Sequence, residues 1–232
     1  MIADDKAAGH KIAGHSPSMP RGVVRERCLE EALKIIDEGG IEALSFREVS
    51  RRVGVSHQAP YKYFDSRDDI VAELLTRSFM EFAAHLEGRP RSEDPYADLR
   101  AMGEAYFSYA RSHPLKYRLM FGTPMPDPER HPAMMAEARR AFALLKTRLR
   151  DMPIRPLSET GEGDIDLDAL FVWSSIHGLA SLLGSDILPT LGFSEHQMHA
   201  AAARCLARIG GGLQPIEGPA LDGQRQGICD RI

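Results

Sequence analysis

Long polar and aromatic side chains follow one another closely in residues 44–67, which read LSFREVSRRVGVSHQAPYKYFDSR. Gln58 can pair with the edge of an adenine base, and His57 can donate or accept a hydrogen bond in the DNA major groove. Lys62 and the tyrosines on either side of it are long enough to reach phosphates or base edges. Residues 45–64 carry four cationic side chains against one acidic one, whereas the whole chain has a net charge of −4. Positive charge is thus concentrated where a polyanion would bind.

Two short helices are predicted to hold these side chains. Ser45 followed three residues later by Glu48 is a capping-box pattern, which predicts that a helix begins directly after the serine. Gly54 is expected to end that helix, because glycine adopts the left-handed conformation without a side-chain penalty. Ser56 can cap a second helix over residues 57–64. Two short helices joined by a tight glycine turn form a helix-turn-helix, whose second helix enters the major groove.

Taken alone, this pattern leaves open a surface helical hairpin with scattered charges. The segment SHQAPYKYF, preceded by RRVGV and followed by SRDDI, resembles the tetracycline-repressor (TetR) family of transcriptional regulators over residues 21–75. This resemblance implies an all-α protein, in which a three-helix helix-turn-helix domain precedes a helical domain for ligand binding and dimerisation. It also implies repression that a small molecule relieves. Pro60 departs from the family pattern, since many relatives carry an aliphatic residue there.

The residues expected at the DNA follow from the motif and the resemblance. Ser45 and Tyr63 are expected at phosphates. Nearer the bases we expect Arg47, His57, Gln58, Tyr61 and Lys62. The complete expected set adds three neighbours and consists of Ser45, Arg47, Ser56, His57, Gln58, Ala59, Tyr61, Lys62, Tyr63 and Arg67.

Composition agrees with a DNA-binding protein of the cytoplasm. A net charge of −4 fits a chain whose basic surface is confined to a small region. The three cysteines are not at metal-ligand spacing, and no signal peptide opens the chain, so a reduced compartment is favoured. The most apolar stretch, residues 169–193, contains polar residues and a proline, and it predicts a buried helix, not a membrane span. No phosphate-binding loop, nucleophile elbow or zinc motif occurs, so no enzymatic activity, metal or cofactor is expected.

Helical periodicity divides the chain into four parts. They are a disordered tail (1–20), the helix-turn-helix domain (21–67), an effector-binding and dimerisation domain (68–211) and a flexible tail (212–232). A polar linker is expected between residues 153 and 164. The helices outside the motif are predicted at 21–38, 66–87, 96–112, 115–121, 129–152, 165–188 and 194–210.

The last two predicted helices differ from the others. The helix over residues 165–188 is apolar nearly all round, so it must be covered on every side. The helix over 194–210 carries alanines at positions 200–203, which allow close helix approach. These two helices of each protomer are therefore expected to form a four-helix homodimer interface.

Aromatic and methionine side chains of the second domain are expected to line an effector cavity. Trp173 and His177 lie four residues apart and share a helix face. The stretch WSSIHG resembles the Trp-His-Gly signature of one TetR subgroup. Few charges fall on the inner helix faces, so a mostly apolar effector is expected. The expected lining consists of Met102, Tyr106, Phe107, Met120, Phe121, Trp173 and His177.

The sequence is also compatible with other interpretations. A stripe of methionines and aromatics at helical spacing can be simple core, and His177 can be a satisfied core or interface histidine. The chain can also be a small-molecule binding or processing protein with a vestigial helix-turn-helix. A third possibility is an activator or an architectural DNA-binding protein.

Overall fold

The computed structural model describes residues 20–89, 91–153 and 164–213, which form nine α-helices and contain no β-strand. The expectations for the two tails and for the polar linker lie almost entirely outside these ranges. The described residues group into two compact units that divide between Ile70 and Val71. We call residues 20–70 the head unit and residues 71–213 the helical unit. Within the described ranges, no helix is long and apolar enough to cross a membrane.

The head unit contains α1 (Arg21–Gly39), α2 (Phe46–Val53) and the first turn of α3 (Arg67–Glu87). A single 3-10 turn, Ile41–Ala43, joins α1 to α2. Apolar side chains from α1 and α2 form the core of the unit, and Cys28 is completely buried in it, as its place on the apolar stripe predicts. The other core residues are Val24, Leu29, Ala32, Ile35, Ile36, Leu44, Phe46, Val49, Val53, Phe64 and Ile70.

The segment predicted as a second α-helix, residues 57–64, forms a turn and one 3-10 turn, Pro60–Lys62. Proline has no N–H, so Pro60 cannot donate to the carbonyl of Ser56, and that carbonyl accepts from the N–H of Ala59 at 2.9 Å. Two later amides of the segment also bond three residues back, at 3.2 and 2.9 Å, as in a 3-10 helix. The prediction of an α-helix here is therefore wrong, although the segment is still a compact helical turn.

The helical unit is a bundle built around α4. Besides the rest of α3, it comprises α4 (Pro95–Ser112), α5 (Pro114–Gly122), α6 (Pro132–Arg150), α7 (Asp164–Leu183), α8 (Ile187–Thr190) and α9 (Glu195–Leu213). Helix α4 packs against α5, α6, α7 and α9, and α7 also packs against α6 and α9. Proline opens α4, α5 and α6, where its missing N–H costs no intrahelical bond.

Three helices of this unit differ from the prediction by three residues or more. Helix α9 continues to Leu213 instead of ending at residue 210, so its last two residues lie in the segment predicted as a flexible tail. The single helix expected over 165–188 ends at Leu183, because the amide of Ser185 bonds three residues back to Leu182 at 3.2 Å and the chain turns into α8. Helix α6 begins at Pro132, three residues later than expected, since the carbonyl of Asp127 accepts two amides in a preceding turn.

Candidate nucleic-acid interface and helical-domain cavity

The two ends of α2 are fixed as the sequence predicts. The hydroxyl oxygen of Ser45 accepts from the amide of Glu48 at 3.2 Å, which caps the first turn. Gly54 has φ 76° and ψ 34°, the left-handed conformation that ends a helix. With its oxygen used as the cap, Ser45 still has its hydroxyl hydrogen to donate. The short helix therefore holds Ser45 and the exposed Arg47 at one defined end.

Tyr61 connects the 3-10 turn to that end of α2. Its ring packs edge-on against Phe46, with the ring centroids 4.4 Å apart, and lies 5.8 Å from the ring of His57. Phe46 is the chain neighbour of both Ser45 and Arg47, so these contacts bring the two segments together. Of the ten residues expected at the DNA, seven are exposed and three are partly buried: Ala59, Tyr63 and Arg67.

Two of the four cationic residues counted in the motif are neutralised by ion pairs. Glu48 accepts hydrogen bonds from Arg51 at 2.6 Å and from Arg52 at 2.8 Å, and these bonds lower the pKa of its carboxyl to about 2. Arg52 also pairs with Glu38 of α1 at 2.6 Å. These charges therefore hold α2 against α1.

The other two cations of the motif are free to bind an anion. Arg47 and Lys62 are exposed, and neither forms an ion pair with any described residue. Gln58 is also exposed, so the motif carries both free charge and a base-reading amide at its surface. We call Arg47, His57, Gln58, Tyr61 and Lys62 the head face.

The helical unit contains a partly open cavity of about 240 Å³ with an almost entirely apolar wall. Five of the seven residues expected to line it do so: Met102, Tyr106, Met120, Phe121 and Trp173. Helices α3 and α6 complete the wall with side chains that the sequence did not indicate as cavity residues. These are Phe79, Phe82, Leu86, Ala138, Ala141, Phe142 and Leu145.

The polar atoms next to this cavity bond to one another. The hydroxyl of Tyr117 lies 2.7 Å from Nδ1 of His177, and the hydroxyl of Tyr106 lies 3.1 Å from the same nitrogen and 3.2 Å from Tyr117. Burial raises the pKa of both phenols and lowers the pKa of His177. This network, which we call the Tyr-His cluster, leaves the cavity with neutral walls.

His177 and Phe107 do not line the cavity. His177 lies behind its wall, where it bonds to Tyr106 and packs against Phe121 with ring centroids 4.9 Å apart. Phe107 lines a different depression on the other side of α4. It follows Tyr106 directly, and one residue turns a helix by about 100°, so the two rings point to different sides.

Two sequence models match the chain. One, described as bacterial regulatory proteins of the tetR family, matches residues 29–74. The other, described as a tetracyclin repressor-like C-terminal domain, matches residues 99–211. The chain belongs to the TetR family. This TetR-family protein is a DNA-binding transcriptional regulator, as the resemblance of its helix-turn-helix implies.

Individual relatives agree with this assignment. The protein is similar to an uncharacterized HTH-type transcriptional regulator, Rv0681, of Mycobacterium tuberculosis, with 28% identity over 183 residues, or 76% of this chain and 78% of the relative. Its fold is similar to that of the TetR family transcriptional regulator PfmR from Thermus thermophilus, with a TM-score of 0.60 and 24% identity, covering 82% of this chain and 100% of PfmR. The fold is also similar to that of a protein with unknown function from Rhodococcus sp. RHA1, with a TM-score of 0.69 and 24% identity, covering 87% of this chain and 100% of the Rhodococcus chain.

Acidification is expected to destabilise this TetR-family protein through His177. Burial lowers the pKa of His177 below its ordinary value of 6.5, and the groups around it, Tyr106, Tyr117, Phe121 and Trp173, are neutral. The folded state therefore favours the neutral form of His177. The free energy of unfolding is unaffected by protonation of this histidine above pH 6.5, and it decreases as the pH falls from 6.5 towards the pKa of His177 in the folded protein. Thermal unfolding of the wild type and His177→Gln at several pH values measures this effect. Equal losses of stability in the two proteins would contradict it.

Proposed function

We propose that this protein is a homodimeric repressor that binds a palindromic operator and is released by a small, mostly apolar effector. The observation that carries the DNA-binding part is the head face, where Arg47 and Lys62 are exposed without ion pairs to any described residue, beside Gln58. In this proposal Ser45 and Tyr63 bind phosphates, while the head face lies against base edges. Ser56, Ala59 and Arg67 flank these contacts.

The dimer part of the proposal rests on the outer face of α7. Leu167, Leu170 and Phe171 are 61%, 52% and 47% exposed, and Leu182 continues the same face. Large apolar side chains at helical spacing that stay exposed in the described part of the protomer favour burial against a second copy. Helix α9 packs on α7 and exposes Ala200 and Ala207. Two copies of this pair would form a four-helix interface with two-fold symmetry.

The two-fold symmetry of the proposed dimer predicts the symmetry of its operator. A dimer of helix-turn-helix proteins binds two half-sites about one helical turn apart, or about 34–36 Å, on a palindrome. An effector that prefers a dimer with wrongly spaced heads would lower the operator affinity, and only by its differential affinity for the two states.

The cavity supports a particular class of effector. Its volume of about 240 Å³ is small for a ligand site. The polar atoms beside it are bonded within the Tyr-His cluster, so a ligand with its own charge would lose hydration without compensation. We therefore propose a small, neutral and largely apolar molecule. Trp173 is the only tryptophan in the sequence and lines the cavity, so quenching of its fluorescence reports occupancy.

Substitutions on the head face test the DNA-binding part. Lys62→Ala and Tyr61→Ala are each expected to weaken operator binding by about 1–3 kcal/mol, which is about 5- to 150-fold. Fluorescence anisotropy with a duplex selected from a random DNA pool measures the affinity. Because Tyr61 also packs on Phe46, Tyr61→Phe separates loss of the hydroxyl from loss of packing.

The matched control is Lys34→Ala, which removes an exposed lysine of α1 outside the head face. It should leave the affinity unchanged. Full affinity in the Lys62 and Tyr61 variants, with the dimer intact, would place the DNA on another surface. A reporter gene behind the selected operator then distinguishes repression from activation. Ligand binding without any DNA binding would favour a vestigial helix-turn-helix.

A further inference from the structure

A groove of about 630 Å³ lies on the side of α4 that faces away from the cavity, between α4, α7 and α9. Its floor is apolar and is formed by Phe107, Leu183, Met198 and Leu206. Gly103 lines the cavity, and Leu206 lines the groove. The two residues are in such close contact that a Cβ on Gly103 would overlap the leucine side chain, so they separate the groove from the cavity at this point. A molecule in the groove therefore occupies a site separate from the cavity.

The rim of the groove carries an excess of positive charge. Arg111 is exposed and forms no ion pair with any described residue. Arg89 lies 3.6 Å from Glu104, and both side chains are about half exposed, so this pair is weak. Another polar group on the rim, His199, directs its Nδ1 at the backbone carbonyl of Glu195 at 2.8 Å. One guanidinium above an apolar floor is thus left available to an anion.

We propose that this groove binds an anionic amphiphile, a molecule with a short hydrocarbon or aromatic body and a carboxylate. The body would cover Phe107 and Leu183, and the carboxylate would accept hydrogen bonds from the planar fork of Arg111. The volume of the groove lies in the usual range for small-molecule sites, unlike the smaller cavity. This ligand differs in charge from the neutral effector proposed for the cavity, and its binding does not depend on the operator.

Isothermal titration calorimetry of the full-length protein with decanoate tests this site. We expect saturable binding that Arg111→Ala weakens by about tenfold or more, the effect of losing a hydrogen bond to a charged group. The matched control is Arg100→Ala, which removes another exposed arginine of α4 that does not line the groove, and it should bind decanoate as the wild type does. Decan-1-ol has the same hydrocarbon chain without the charge, so its affinity for Arg111→Ala should equal its affinity for the wild type.

A second variant tests the apolar floor. Phe107→Glu should also abolish decanoate binding, with circular dichroism showing that the variant is folded. Binding that does not change in Arg111→Ala, or that weakens equally in Arg100→Ala, would overturn the proposal, as would the absence of saturable binding. Binding that quenches Trp173 and ignores Arg111 would place decanoate in the cavity instead. None of these readouts uses DNA, so failure here is distinguishable from failure of the proposed repressor function.

Discussion

A protein carrying both Leu170→Glu and Phe171→Glu is expected to be a monomer that binds the operator at least about a hundredfold more weakly than the wild type. Both side chains are about half exposed in the protomer, so their replacement should leave its core intact. In a two-fold interface each glutamate would face a desolvated, like-charged surface. With the second head no longer linked, operator binding becomes monovalent, and the gain from effective concentration is lost.

Analytical ultracentrifugation gives the mass of this variant, and fluorescence anisotropy gives its operator affinity. Met80→Glu is the matched control, because Met80 is also a half-exposed apolar residue but lies on α3, outside the proposed interface. It should remain dimeric and bind the operator normally. A variant that stays dimeric would move the interface away from α7, and a monomer with full operator affinity would contradict the need for a dimer.

Asp98→Ala is expected to lower the free energy of unfolding by about 3–5 kcal/mol, because it leaves the buried guanidinium of Arg148 without its carboxylate partner. The carboxylate of Asp98 accepts from Arg148 at 2.6 Å, from Arg91 at 3.3 Å and from the backbone amide of Ser92 at 3.1 Å. Asp98 and Arg148 are only 6% and 9% exposed. Their pairing fixes α6 to the first turn of α4, next to the cavity residues Leu99 and Leu145.

Denaturant unfolding of the wild type and three variants checks this prediction. Glu87→Gln is the control, because Glu87 pairs with Arg140 at 2.7 Å but both side chains are more than 40% exposed, and such pairs contribute less than about 1 kcal/mol. The double variant Asp98→Leu/Arg148→Met removes both charges and should recover most of the stability lost in Asp98→Ala. Similar small losses for Asp98→Ala and Glu87→Gln would show that the buried pair does not hold the two helices.

Local signals in the sequence were sufficient for the helix ends of the motif. The Ser45 cap and the Gly54 turn depend on residues within a few positions of each other, and both are confirmed. A contact of the same local kind begins α3, where Ser66 and Asp69 bond reciprocally at 2.7 and 3.2 Å. These predictions succeed because the interacting groups are neighbours in the chain.

The predictions that the structure corrects depend on two kinds of information. One is the choice between α-helical and 3-10 hydrogen bonds at Pro60, and the other is contacts between residues far apart in the chain. At Pro60 the general pattern of a helix-turn-helix favoured an α-helix, but the missing N–H favours bonds three residues back. The pair between Arg52 and Glu38 joins residues 14 positions apart on different helices, so the motif carries less free charge than its residue count suggests. Phe142 closes the cavity from α6, and no periodicity could show which helix would cover Trp173.

Hydroxyl-radical footprinting on a duplex selected from random DNA tests whether two head units of a symmetric dimer bind a palindrome. We expect two equivalent protected segments related by two-fold symmetry, centred about one helical turn apart, or about 34–36 Å. Both segments should disappear together when Arg47 and Lys62 are replaced by alanine. A single asymmetric segment, uniform protection of any DNA, or an unchanged footprint in the double variant would contradict this binding mode.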